Sequence, residues 1–319
     1  MRGIATMHYR RAFVHHFQGL DAEMAPFIST VDAARINPKL LKDVLPENNS
    51  GLPLIPQLIG NKADDFVQMA IALNALGYNE INWNLGCPHK PIRRKRRGSG
   101  LLPHPDAIDA ILNQVCDRSP CKISVKVRLG VSDKSELMKL VPVLNRYPLS
   151  EVVIHPRTAE QMYAGTVDLD AFEEAFQALE HSVCYNGDIN SPAFFQTVEK
   201  RFPDIGRFML GRGLLANPFL CEEIKAHSAH LRRCEFTPAQ VCGKIARIIG
   251  FHDDLVAGYE AVLHGDQPVL GKMKEFWTYQ STHLSNGRQL FKKLKKSQHL
   301  ATYKAIVAEF LAEAEWHGE

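Results

Sequence analysis

The sequence predicts an α/β protein in which a parallel barrel of alternating strands and helices precedes an all-helical domain. Three observations predict this. Short β-branched runs alternate with helix-length amphipathic segments from about residue 25 to residue 225, and parallel strands need connections of that length. Polar residues recur at the C-terminal ends of the runs. After about residue 230 the strand patterns stop and only helical periodicity remains.

In order, strands are expected at residues 52–59, 80–84, 122–128, 151–155, 182–186 and 207–211. Helices fall between them at 64–76, 105–115, 135–145, 168–179 and 191–200. The runs Ile-Ser-Val-Lys-Val-Arg and Val-Val-Ile-His are rich in β-branched residues, as strands buried on both faces should be. Gln57, Asn84, Lys126, His155, Asn186 and Gly211-Arg212 sit at successive strand ends. A ring of such positions is how a TIM (β/α)8 barrel builds its site. A doubly wound sheet would use a single crevice instead. Thr237-Pro238 reads as an N-cap with proline at the first helical position. Helices are expected at 239–264, 269–284, 287–296 and 299–316. The division is therefore a barrel over residues 1–232 and a helical domain over 236–319.

Composition narrows the function classes. The 319 residues are 45% hydrophobic and 23% charged, ordinary for a soluble globular protein. No apolar run of about 18 residues suggests a membrane span, and the N-terminus lacks the apolar core of a signal peptide. Seven cysteines without a C-x-x-C pair argue against a disulfide framework and a zinc site. A reducing cytoplasm is expected, as are a monomer and no metal. Net charge is only +3, so any nucleic-acid binding must come from local patches.

Asn84-Leu85-Gly86-Cys87-Pro88 closes the strand at 80–84. A cysteine held between Gly and Pro on a turn at a strand end can meet a substrate, although a cysteine is as often a small buried hydrophobe. The other six cysteines are read as structural. Lys126 and Arg128 alternate with valines and share the interior face, where an unpaired cation is costly. An internal ion pair, an anion, flavin or polar base at the barrel mouth, and a Schiff-base lysine all satisfy that pattern. Gly211-Arg212-Gly213 suits a phosphate at the start of a helix over 217–224, but Gly-x-Gly is also a plain turn. Asn186-Gly187-Asp188 is its neighbour at the preceding strand end and, equally, a common turn sequence. Arg93-Arg94-Lys95-Arg96-Arg97 follows the cysteine turn and can steer a polyanion, and Lys292-Lys293-Leu294-Lys295-Lys296 is a second basic run. Either run could also be only a solvated face.

Taken together, Gln57-Leu58-Ile59-Gly60, the turn 84–88, Lys126-Val127-Arg128, His155-x-Arg157-Thr158, Asn186-Gly187-Asp188 and Gly211-Arg212-Gly213 resemble the tRNA-dihydrouridine synthases in order and spacing. The resemblance extends over nearly the whole chain. It implies an FMN-bearing TIM barrel, a helical domain that grips tRNA, and NADPH as reductant. Carried over by position, it assigns Gln57, Lys126, His155, Asn186, Asp188, Gly211 and Arg212 to FMN. It assigns Asn84 and Arg128 to the uracil, with Arg157 and the run Arg93, Arg94, Lys95, Arg96 and Arg97 also set to the substrate. Cys87 becomes the acid that protonates C5 while hydride from flavin N5 goes to C6. A thiol of pKa about 8.5 is mostly protonated at neutral pH and can serve as that acid. The base must leave its stack to reach a barrel mouth.

Three departures accompany the resemblance. The chain opens at Met1-Arg2-Gly3-Ile4, inside the family's Ala-Pro-Met-x-Gly-Val/Ile motif, with Tyr9-Arg10 in register with Phe-Arg. The first barrel strand is therefore expected to be missing, through a late start or truncation. Pro156 stands where the family commonly has Gly, and the run at 93–97 is more basic than usual. Competing readings are an FMN-dependent small-molecule pyrimidine dehydrogenase, an aldolase using Lys126, and a truncated inactive tRNA-binding homologue.

Overall fold

The computed structural model describes residues 3–30, 36–49, 51–228 and 243–317. The strands are β1 (Glu23–Met24), β2 (Ile28–Ser29), β3 (Leu54–Ile55), β4 (Gln57–Ile59), β5 (Glu80–Leu85), β6 (Lys122–Gly130), β7 (Val152–Thr158), β8 (Val183–Asn186) and β9 (Arg207–Met209). Every pairing between them is parallel. Seven of them form one sheet in the order β2-β4-β5-β6-β7-β8-β9. That order follows the sequence without reversal, which is barrel winding and not the switch-point winding of a doubly wound sheet. Among the described residues, β2 and β9 are the two ends of the sheet.

β1 and β3 pair separately from this sheet. Pro26 lies between β1 and β2, and Pro56 between β3 and β4. A proline has no N–H to give a ladder, so each interrupts what would otherwise be one strand. The expected strand at 52–59 is therefore two pieces, and its neighbour at 23–29 is visible only through pairing.

Helices follow the strands as expected at α2 (Ala63–Ala75), α4 (Pro105–Arg118), α5 (Ser135–Leu144), α6 (Leu169–Ala178) and α7 (Pro192–Arg201), and the four-residue α3 (Lys90–Arg93) is an addition to them. Two expected helix starts are N-caps: Asp168 Oδ1 accepts from Ala171 N at 2.9 Å, and Ser191 Oγ from Phe194 N at 3.2 Å. The helix expected at 217–224 is α9 (Leu220–His227), and the short α8 (Arg212–Ala216) precedes it. The remaining helices are α10 (Lys244–Glu260), α11 (Asp266–Gln280), α12 (Gly287–Lys296) and α13 (Leu300–Glu313). The expected cap at Thr237-Pro238, Cys234, Cys242 and the domain junction at 232–236 lie outside the described residues.

The N-terminal helix is also outside the sequence expectation. α1 (Met7–His16) presents Tyr9 and Phe13 one turn apart, continued by Phe17. Two cores result. The first fills the sheet and its surrounding helices, from Ala25 to Ile224. The second joins Ile4, Tyr9, Phe13 and Phe17 to Phe219 and to Phe251, Trp277 and Leu294 of the C-terminal helices. The N-terminal segment thus packs with the helical region, although the sequence division assigns it to the barrel.

Candidate active site

Cys87 sits on a turn fixed from three sides. Asn84, at the end of β5, accepts at Oδ1 from the backbone N–H of Gly86 (3.1 Å) and Cys87 (2.9 Å). Its Nδ2 donates to Gln57 Oε1 at 2.8 Å. Gln57 in turn donates to Asn82 Oδ1 at 2.8 Å, and Asn82 to Ser124 Oγ at 3.1 Å. Both oxygen lone pairs of Asn84 are thus spent on shaping the turn, leaving one amide hydrogen for a ligand. On the second side, Ser99 donates its backbone N–H and hydroxyl to the Cys87 carbonyl at 3.2 and 2.8 Å. Gly98 permits that approach: its φ is +57°, and a Cβ there would stand 2.9 Å from Cys87 Cβ. On the third, Arg128 Nε donates to Gly86 O at 3.0 Å.

Strand register brings the other candidates level with this turn. Asn84 lies beside Lys126, and Arg128 beside His155. Lys126 Nζ donates to Asn186 Oδ1 at 2.6 Å, and Asn186 Nδ2 to Met209 O at 2.7 Å. Burial, then the neighbouring Arg128, pushes the Lys126 ammonium down to about 7. Burial, and then Lys126 and the three arginines around it, holds the His155 pKa far below the ordinary histidine range, so the ring is neutral. Arg157 Nη1 lies 3.2 Å from His155 Nε2. A guanidinium can only donate, so Nε2 accepts and Nδ1 carries the ring proton.

Two arginines have roles that sequence patterning did not anticipate. Arg128 Nη1 donates to Thr158 O (2.9 Å) and Met162 O (2.8 Å), linking the cysteine turn to the loop after β7. Burial pushes its pKa down to about 10, which leaves it charged at neutral pH. Arg157, only 1% exposed, pairs with Asp188 and donates to the carbonyls of Ala164 and Gly165. The Arg157 guanidinium, expected at the substrate, is engaged by partners inside the protein. Asp188, at φ +46°, also accepts from Arg212 at 3.0 Å. Gly211-Arg212-Gly213 opens only the five-residue α8, not the longer helix expected there.

Tyr163 was missed altogether. Its ring centre lies 4.2 Å from the Arg212 guanidinium, 5.4 Å from that of Arg128 and 6.3 Å from the His155 ring. A lone aromatic before a glycine in a long loop was the available sequence signal. The basic run divides. Arg94, Lys95 and Arg96 are exposed, while Arg97 donates to Asn61 Oδ1 at 3.3 Å and Arg93 approaches Glu160 at 3.9 Å.

These groups line a cavity of about 1280 Å³. Gln57, Asn84, Cys87, Lys126, Arg128, His155, Tyr163, Asn186, Asp188 and Arg212 line it from strands β4 to β8 and from the segments that follow β5, β7, β8 and β9. His89 is in its lining, and none of residues 93–97 is. Its lining also includes Leu54, Phe208, Glu80, Glu151 and Arg207, the last three at or next to the N-terminal ends of β5, β7 and β9.

A family model described as dihydrouridine synthase (Dus) matches residues 1–312. The chain belongs to the dihydrouridine synthase family. It is 28% identical over 197 residues to a tRNA-dihydrouridine synthase B of Yersinia pestis, covering 61% of this chain and 60% of that one. It is 27% identical over 213 residues to a tRNA-dihydrouridine(16) synthase of Cupriavidus necator, covering 66% of each. The chain thus spans about three fifths to two thirds of the length of these curated relatives. Among solved structures, histamine dehydrogenase from Rhizobium sp. 4-9 superposes with a TM-score of 0.53 at 11% identity, covering 78% of this chain and 47% of that one, a likeness of fold alone.

The dihydrouridine synthase reading implies a flavin, and the residues present fit one. Lys126, Arg128 and Arg212 line the cavity with Asp188, which pairs with Arg212 and, behind the lining, with the buried Arg157. Among the described residues, no ion pair joins Lys126 or Arg128 to a carboxylate, so this end of the cavity carries excess positive charge suited to an anionic ligand.

Proposed function

We propose that this protein reduces uridines in tRNA to 5,6-dihydrouridine, with FMN as cofactor and NADPH as reductant. The observation that carries the reading is the family match over residues 1–312, within which Cys87 stands on a braced turn beside a cationic cavity. Bound FMN would supply the hydride for C6 of the uracil. Lys126 and Arg212 would meet its anionic groups, with Gln57, Asn186, Asp188, Gly211 and the Nδ1–H of neutral His155 arranged around it. Cys87 Sγ would deliver the proton to C5 from the opposite face, which is the position of a general acid. Arg128 keeps the cysteine turn in place and would contribute charge at the uracil, to which the remaining N–H of Asn84 would donate. Tyr163, stacked against two guanidinium groups, offers a flat face beside them. The exposed cations at 94–96 and on α12 would hold phosphates of the tRNA.

No described helix is long and apolar enough to cross a membrane. A cytoplasmic monomer acting on tRNA is the setting we infer. Dihydrouridine mapping in tRNA from a strain lacking the gene tests the proposal. Restoring the gene should return the modification at a defined position, and a Cys87→Ala copy should fall short by about 100-fold or more in turnover. Recovery of dihydrouridine at no position would overturn it. Turnover of free pyrimidines with no action on tRNA would favour the small-molecule reading.

A further inference from the structure

Away from the cavity, α1 ends in adjacent histidines whose rings meet a single carboxylate of α10. His15 Nδ1 and His16 Nε2 each lie 2.8 Å from Asp254 Oδ2, across 239 and 238 residues of sequence. The three potential ligand atoms all fall within 4.8 Å of one another. His16 is held in this position. A Cβ on Gly250, one turn before Asp254, would stand 2.6 Å from His16 Cε1, so only glycine leaves room for the ring. Arg247 donates through Nε and Nη2 to the His16 carbonyl at 2.9 and 2.7 Å, fixing the backbone that carries the ring.

The chemistry of this cluster is specific. Two imidazole nitrogens and one carboxylate oxygen suit Zn²⁺ and its neighbours in the transition series, whereas Mg²⁺ and Ca²⁺ favour all-oxygen shells. A three-ligand zinc site keeps its fourth position for water, and the exposed His15 side of the cluster is open to it. The rings also sit on the last turn of α1, where the negative end of the helix dipole favours a cation.

We propose that His15, His16 and Asp254 form a Zn²⁺-class site that clips the N-terminal helix to the helical domain. The metal would join chain segments far apart in sequence, in a region where α1 already packs with the second core. Binding to the folded state alone would stabilise the protein by mass action.

Calorimetric titration with ZnCl2, and separately MgCl2, tests this on the full chain, His15→Ala and Asp254→Asn. The His15 side chain is 72% exposed and that of Asp254 44%, so neither change should compromise folding, which a melting curve without metal verifies. Wild type should take up one zinc equivalent that both variants bind at least about tenfold more weakly. Zinc, but not magnesium, should raise the melting temperature of wild type and leave both variants unmoved. Equal zinc stoichiometry and affinity in all three proteins would overturn the proposal, as would no saturable uptake by wild type. In either case the contact would be an ordinary carboxylate–imidazole pair.

Discussion

Lys126 is where burial and charge meet most sharply at the residue scale. Its ammonium is pushed down to about 7 from an ordinary 10.5 by burial and the adjacent Arg128. The sign of the consequence is fixed by linkage. Between about pH 7 and 10.5 the folded protein binds fewer protons at this site than the unfolded chain does, so folding stability rises with pH across that window. The penalty of the buried charge is fully present below about pH 7. Urea unfolding without cofactor at pH 7 and pH 9 should therefore give wild type a stability gain that Lys126→Met lacks, and identical pH dependence would refute it. An anionic cofactor reverses the shift by restoring the proton. At pH 8.5, FMN binding by wild type should take up close to one proton more than binding by Lys126→Met. Titration heats in two buffers of different ionisation enthalpy measure that difference. Arg157 makes the complementary case, a buried cation fully partnered by Asp188 and the carbonyls of Ala164 and Gly165. Arg157→Ala leaves those acceptors behind and should cost about 3–5 kcal/mol of stability by denaturant titration. A loss under 1 kcal/mol would mean that water replaces the guanidinium freely.

Among the elements, the cysteine turn and the strand after it show what sequence patterning could and could not reach. β5 to β9 match their expected positions within a few residues, because strands buried on both faces must be β-branched runs. Asn84, Cys87, Lys126 and His155 could be placed on one rim because parallel register aligns strand ends. Partner choice was another matter. Arg128 and Arg157 look alike in a strand pattern, yet Arg128 ties the cysteine turn to the loop after β7 while Arg157 serves Asp188 and that loop's far end. Those partners are mostly backbone carbonyls, which leave no mark on sequence. β1 and β2 escaped notice because each has two residues, and α1 because Arg10 and the terminal histidines dilute its apolar stripe. Gly98 tests how far the turn depends on its neighbour element. At φ +57° and with Cys87 Cβ 2.9 Å from a substituent, Gly98→Ala must displace either its own loop or the thiol. Turnover should fall at least about tenfold with tRNA affinity unchanged, since a small misplacement of a reacting group is costly. Unaltered turnover would show that the turn holds Cys87 without that loop.

For the whole molecule, the issue is how two separately cored regions could engage one polyanion when net charge is only +3. α12 buries Leu290 and Leu294 against the second core and turns Arg288, Lys292, Lys293, Lys295 and Lys296 outward. Arg94, Lys95 and Arg96 are exposed beside the cysteine turn of the first. Each cation that neutralises a phosphate releases a counterion, so log affinity falls with log salt by about 0.7–0.9 per contact. Replacing residues 94–96 with alanine should therefore reduce the salt slope of tRNA binding by up to about 2–3, and replacing the four lysines of α12 by up to about 3–4. If one tRNA touches both patches, the combined variant should lose both increments in slope, and its affinity should fall below that of either parent at every salt concentration. Filter binding across a salt series reads all of this. A slope unchanged by one set of substitutions would remove that patch from the interface, and with it the idea that the helical region and the barrel share the substrate. Turnover at saturating tRNA should survive in every variant, because none of these cations lines the cavity.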